Sequence, residues 1–144
     1  DDIVPTNPKN AGEKATPHMR WHPLRREWVI YAGHRQNRTF LPPKDFSPLA
    51  VSTNEEFPTE MPAGNYEVAV FENLFPSMNE TTDERPALLV PTSPAKGICE
   101  VVVFTQDPET ALGHMPVERV ELVLKVWADR TVELAKHEDI QYVM

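Results

Sequence analysis

Arg35 and Arg38, separated by Gln36 and Asn37, are the residues of this sequence best suited to chemistry. They follow an extended run, Glu27–Tyr31, so two guanidinium groups can converge on one phosphate. The planar fork of arginine matches phosphate oxygens better than a lysine ammonium does. Read alone, the pair is more simply a set of solvated loop charges, the commoner fate of any one arginine. Asn73 stands at the end of a second extended run, where an asparagine commonly closes a turn. Cys99 is the single cysteine, and it can neither form an internal disulfide nor build a thiolate metal site by itself.

The elements that must position these residues are mostly strands and ordered loops. Fifteen prolines against 5 glycines favour extended segments and turns over long helices. His18-Met19-Arg20-Trp21 and Glu27-Trp28-Val29-Ile30-Tyr31 flank a short turn containing Pro23, which predicts a hairpin with a buried tryptophan. Prolines at 42, 43, 48, 58 and 62 exclude a helix interior from Leu41 to Ala63 and leave a long loop, held by proline stiffness and packing. Tyr66–Phe71 reads as a strand ending in a turn at Asn73–Ser77, followed by a mobile connection from Met78 to Pro86. Cys99–Phe104, almost continuous in β-formers, reads as a central strand covered on both faces.

Pro116 suits a first helical position. After it Val120, Val123, Leu124, Trp127, Thr131 and Leu134 recur at helical spacing, predicting one long helix over about residues 117–136. Ile140–Met144 reads as the start of another strand. Residues 1–17 lack periodicity and read as a flexible lead-in to one domain over residues 18–144. The fold class is α+β: strands interrupted by long loops, with one helix packed on the sheet. The formal net charge of −8 gives no overall attraction to nucleic acid or an anionic membrane. The apolar stretches fall far short of the roughly 20 residues that span a bilayer, and a cytoplasmic location is the expectation.

Several of these pieces fall in an order that resembles the opening of the galactose-1-phosphate uridylyltransferase branch of the histidine-triad superfamily. The family pattern is approximately R-x-N-P-L-x-x-x-W-[VI]-x-x-x-x-x-R-x-x-R-P. Here it reads Arg20-Trp21-His22-Pro23-Leu24, then Trp28-Val29, then Arg35 and Arg38; only His22 and Thr39 depart from it. Val70-Phe71-Glu72-Asn73, the run Gly97–Asp107, the helix and Tyr142-Val143 follow in the family's order. Each piece alone is weak, and the ordered set is specific because independent motifs must coincide.

The resemblance implies a histidine-triad-like antiparallel sheet with one long packed helix and long proline-rich loops, incomplete in this sequence. It implies transfer of UMP from UDP-glucose to galactose 1-phosphate through a uridylyl-histidine, a two-step displacement that needs partners for the phosphoryl oxygens. It assigns Arg35 and Arg38 to phosphate, Asn73 to ribose, and Phe46, Leu49 and Val51 to the uracil ring. Leu74 stands where the family commonly has an aspartate, which removes one ribose contact. The nucleophile of the family lies in an H-P-H-x-Q stretch expected beyond Met144, and none of His18, His22, His34, His114 or His137 lies in an H-x-H arrangement. The catalytic residue is therefore expected on a complementary C-terminal segment or chain, with this chain inactive by itself and the assembly a homodimer.

Many members of the family also carry a structural zinc. Its cysteine and histidine positions read Ser47, Ala50 and Pro108 here, so no cofactor is expected. His114 lies nearby and suits a helix-start or surface role better than a shifted ligand position. Two other readings use the same residues. One is a relative that phosphorolyses nucleoside-diphosphate sugars; the other is a non-catalytic nucleotide-binding or interaction module. Against the module stands the exposed strand expected at Ile140–Met144, a liability unless another segment pairs with it.

Overall fold

A computed structural model describes residues 17–35, 47–53, 56, 59–61, 64–81 and 85–144. Residues 1–16 of the expected flexible lead-in lie outside them, as do Arg38 and Phe46, while its last residue, Pro17, is buried and accepts the Ala95 N–H at 3.3 Å, so it belongs to the fold and not to the lead-in. Five strands are present among the described residues: β1 His18–His22, β2 Glu27–Tyr31, β3 Ala69–Glu72, β4 Thr92–Pro94 and β5 Glu100–Val103. One α-helix, α1, spans Val117–Leu134, and single 3-10 turns occupy Gly33–Arg35 and Leu112–His114. This is an α+β fold, as the sequence predicts. The chain divides into two compact units. One holds the described residues within 7–39 and 72–101, the other those within 40–71 and 102–144.

In the first unit β2, β1 and β4 form an antiparallel sheet in that order. The predicted hairpin is there, with His18 opposite Tyr31 and Trp21 opposite Trp28. Its turn closes through the Arg26 N–H, which donates to the His22 carbonyl at 2.8 Å. The Nδ1 of His22 accepts the Arg25 N–H at 3.3 Å. The buried tryptophan is not found: Trp28 is 45% exposed, and the two indoles meet edge to face at 5.6 Å across the strands. Cross-strand pairing of this kind stabilises them.

The sequence does not predict β4, which is short and ends in Pro94. As an edge strand it tolerates a residue without an N–H. The expected mobile connection is anchored at its start, because the Asn79 N–H donates to the Ala95 carbonyl and the Gly97 N–H to the Asn79 carbonyl, both at 3.2 Å. Met78 lies over Gly97 so closely that a Cβ there would come within 3.0 Å of its terminal carbon.

In the second unit the buried apolar residues are Met61, Val70, Phe71, Val103, Val123 and Val126. The strand expected at Tyr66–Phe71 begins later, at Ala69. Upstream, the carbonyls of Tyr66 and Glu67 accept side-chain donors, Gln106 and Arg119, in place of a ladder. β3 pairs with β5 in a two-stranded sheet, and the boundary between the units falls within both strands. β5 is half-buried over its first three residues and buried at Val103, not covered along its whole length as expected of a central strand.

Pro116 is the N-cap of α1 and not its first residue, its carbonyl accepting the Arg119 and Val120 N–H groups. The helix buries Val123 and Val126. Leu124 and Trp127, expected on the inner face, are 54% and 44% exposed. Thr131, also expected there, is exposed and returns its hydroxyl to the Trp127 carbonyl at 2.7 Å. Ile140–Met144 forms no strand. No strand among the described residues offers it a ladder, and the Tyr142 side chain is largely exposed.

The described part of the proline-rich loop is fastened at its base. Val51 and Met61 make an isolated parallel bridge, and the Ser52 N–H donates to the Met61 carbonyl at 3.1 Å. The Thr59 hydroxyl donates to the Ala50 carbonyl at 2.6 Å. Hydrogen bonds therefore add to the proline stiffness expected to hold it.

Candidate functional site

Arg35 ends the 3-10 turn Gly33–Arg35 that follows β2, and its N–H closes that turn on the Ala32 carbonyl at 3.0 Å. Its side chain is exposed, and among the described residues its guanidinium has no ion-pair partner. The preceding residue points the other way. His34 Nε2 lies 3.0 Å from the carbonyl oxygen of Pro76. That contact brings the arginine turn against the turn that follows β3, in the same unit.

Asn73 opens this second turn. Its N–H donates to the Cys99 carbonyl at 2.8 Å, continuing the β3–β5 pairing by one residue. Its Oδ1 accepts the Phe75 N–H at 3.0 Å, an Asx-type closure. The turn role is therefore real. It uses the carbonyl end of the amide and leaves Nδ2, which has no partner among the described residues, as the group able to meet a ligand. An exposed cation and an amide donor thus stand on two turns that one hydrogen bond joins.

The remaining expected site residues fall elsewhere in the sequence. Leu49 and Val51 lie half-buried in the other unit, at the fastened base of the proline loop. Arg38 and Phe46 lie outside the described residues. Ser47 and Ala50 share one tight turn, the Ala50 N–H donating to the Ser47 carbonyl at 3.1 Å. A methyl group at Ala50 and the pyrrolidine ring of exposed Pro108 offer no metal donor, and the Ser47 hydroxyl is a poor one, so this set does not fit zinc. His114 is exposed in its own 3-10 turn.

What the sequence left unseen is the bond between His34 and Pro76. No periodicity links residues so far apart in the chain; the only hint was the adjacency of His34 to Arg35.

A second network, in the other unit, is structural. The Arg119 guanidinium meets the Glu67 carboxylate at 2.9 Å and the Glu67 carbonyl at 2.7 Å, with a longer approach to the Phe104 carbonyl at 3.4 Å. Nearby the Thr110 hydroxyl and then the Glu109 N–H hold the Asp107 carboxyl below its ordinary pKa. Burial raises the pKa of the Tyr66 phenol, whose oxygen is enclosed without a partner among the described residues. No helix among them is long and apolar enough to cross a membrane.

Residues 8–144 match the family described as galactose-1-phosphate uridyl transferase, N-terminal domain. The chain is 35% identical over 130 residues to a galactose-1-phosphate uridylyltransferase of Thermotoga maritima, covering 87% of this chain and 38% of that protein. It is 35% identical over 111 residues to one of Streptomyces lividans, covering 75% of this chain and 26% of the relative. A solved uridylyltransferase structure, 20% identical, superposes with a TM-score of 0.68 over 87% of this chain and 37% of that one. The chain thus spans less than two fifths of the length of these relatives.

Proposed function

The chain belongs to the galactose-1-phosphate uridyl transferase family as its N-terminal domain, and from this premise we propose that it forms the phosphate- and ribose-facing part of an enzyme exchanging UMP between UDP-glucose and galactose 1-phosphate. The observation that carries the reading within the fold is the joining of the Arg35 turn to the Asn73 turn through His34 and Pro76. In the first step a histidine nitrogen attacks the α-phosphorus of UDP-glucose. The bond to the bridging oxygen breaks, and glucose 1-phosphate departs with its electron pair. In the second, a phosphate oxygen of galactose 1-phosphate attacks the uridylyl phosphorus, the nitrogen–phosphorus bond breaks and UDP-galactose forms.

Arg35 and Arg38 neutralise the phosphoryl oxygens as charge redistributes, and the Asn73 amide donates to a ribose hydroxyl. Phe46, Leu49 and Val51 flank the uracil. The nucleophilic histidine comes from residues outside this sequence, on a complementary C-terminal segment, in a cytoplasmic homodimer. No zinc is held at Ser47, Ala50 and Pro108.

The test is a uridylyl-exchange assay on the 144-residue chain, alone and with a separately expressed C-terminal segment carrying H-P-H-x-Q. Turnover only in the mixture supports the reading. Consumption of UDP-glucose with inorganic phosphate alone points instead to a phosphorylase, and nucleotide binding without turnover in any mixture to a binding module. Stoichiometric zinc in the purified protein contradicts the metal-free part.

A further inference from the structure

We propose that His34 is the positioning residue for Arg35, holding its guanidinium in register with the Asn73 turn; this rests on the phosphate-binding reading of Arg35 above. A carbonyl oxygen carries no proton, so in the 3.0 Å contact with Pro76 the His34 ring donates from Nε2. That fixes the neutral ring in the Nε2–H tautomer with Nδ1 bare. Protonation adds a proton at Nδ1 and leaves the Nε2–H in place, so the anchor holds whether the ring is neutral or charged.

The need for an anchor follows from the local backbone. A single 3-10 turn has little hydrogen bonding to hold its shape, here the Arg35 N–H to the Ala32 carbonyl at 3.0 Å. Gly33 within it meets no neighbour where a Cβ would stand. Consecutive side chains then diverge: half-buried His34 turns onto the Pro76 carbonyl and exposed Arg35 faces outward. The orientation of the arginine is thereby tied to the turn that carries Asn73, and a binding group placed loosely loses much of its effect.

The experiment is a double-mutant cycle on the 144-residue chain mixed with the separately expressed C-terminal segment, read by calorimetric titration with UDP-glucose. His34→Ala is expected to weaken binding about ten-fold in the presence of Arg35, and less than about two-fold in an Arg35→Ala background. His34→Gln, whose amide can donate to the same carbonyl, restores affinity to within about two-fold of wild type. Wild-type affinity in His34→Ala, or an equal loss in both backgrounds, overturns the proposal, since a merely structural histidine acts regardless of Arg35. Should His34→Ala fail to fold, the wild-type ring decides it: two-dimensional nitrogen–proton spectra must show the Nε2–H form, and a ring protonated at Nδ1 alone overturns it. Absence of any wild-type binding instead refutes the phosphate reading of Arg35 and removes the positioning role with it.

Discussion

Arg119 holds Glu67 at two points, its carboxylate at 2.9 Å and its backbone carbonyl at 2.7 Å. The carboxylate is largely exposed and contributes little, whereas the carbonyl belongs to a segment with no ladder to satisfy it. Arg119→Ala should therefore destabilise the protein by about 1–2 kcal/mol, and Glu67→Gln by less than about 0.5 kcal/mol. Urea denaturation of both variants checks this; equal losses would place the energy in the ion pair instead.

The two apolar stripes of α1 differ in burial, with Val123 at 1% exposure and Leu124 at 54%. Val123→Ala should cost about 2 kcal/mol, because it opens a hole among packed side chains. Leu124→Ala should change stability by less than about 0.5 kcal/mol despite removing more atoms. Thermal melts of the two variants compare them directly, and the reverse order would mean that the other face is inward.

Arg26 adopts φ 55° in the hairpin turn, the left-handed region that a side chain disfavours. Replacement by glycine removes the steric cost and adds chain entropy to the unfolded state, leaving a net gain of about 0.5 kcal/mol. A raised midpoint of unfolding in Arg26→Gly is the expected result; a lowered one would show that the arginine side chain compensates through contacts of its own.

Asp107 has its pKa depressed by the Thr110 hydroxyl and the Glu109 N–H. A depressed carboxyl contributes stability that is fully present above its unfolded pKa and is lost as pH falls through the folded value. The loss therefore begins near the ordinary aspartate range and ends below it. Carbon-13 titration of the Asp107 carboxyl should give a midpoint under the usual value, moved upward by Thr110→Val. A midpoint that Thr110→Val leaves unchanged would remove the hydroxyl as the cause.

The hairpin, the helix and the turn at Asn73 were legible because each rests on local chemistry: β-formers flanking Pro23, apolar spacing after Pro116, an amide that closes on Phe75. The inner face of α1 was not. Val123 stood in the expected apolar set and is buried, but Leu124, Trp127 and Thr131 of that set are exposed while Val126, outside it, is buried, because the set spans a wide arc of the axis and periodicity cannot choose which edge of it turns inward. β4 was hidden because prolines at 91 and 94 argue against a strand unless its edge position is known. Of the candidate site, Arg35 and Asn73 could be named from residue type and motif. The hydrogen bond between His34 and Pro76 that joins their turns depends on tertiary geometry that no spacing encodes.

The bridge between Val51 and Met61 brings together the two ends of the stretch between them. Because its ends meet, its length is a nearly separate variable: doubling such a loop adds only about 0.6 kcal/mol of closure entropy. A change of length between these two residues is therefore inexpensive to close while Met61 stays in the core.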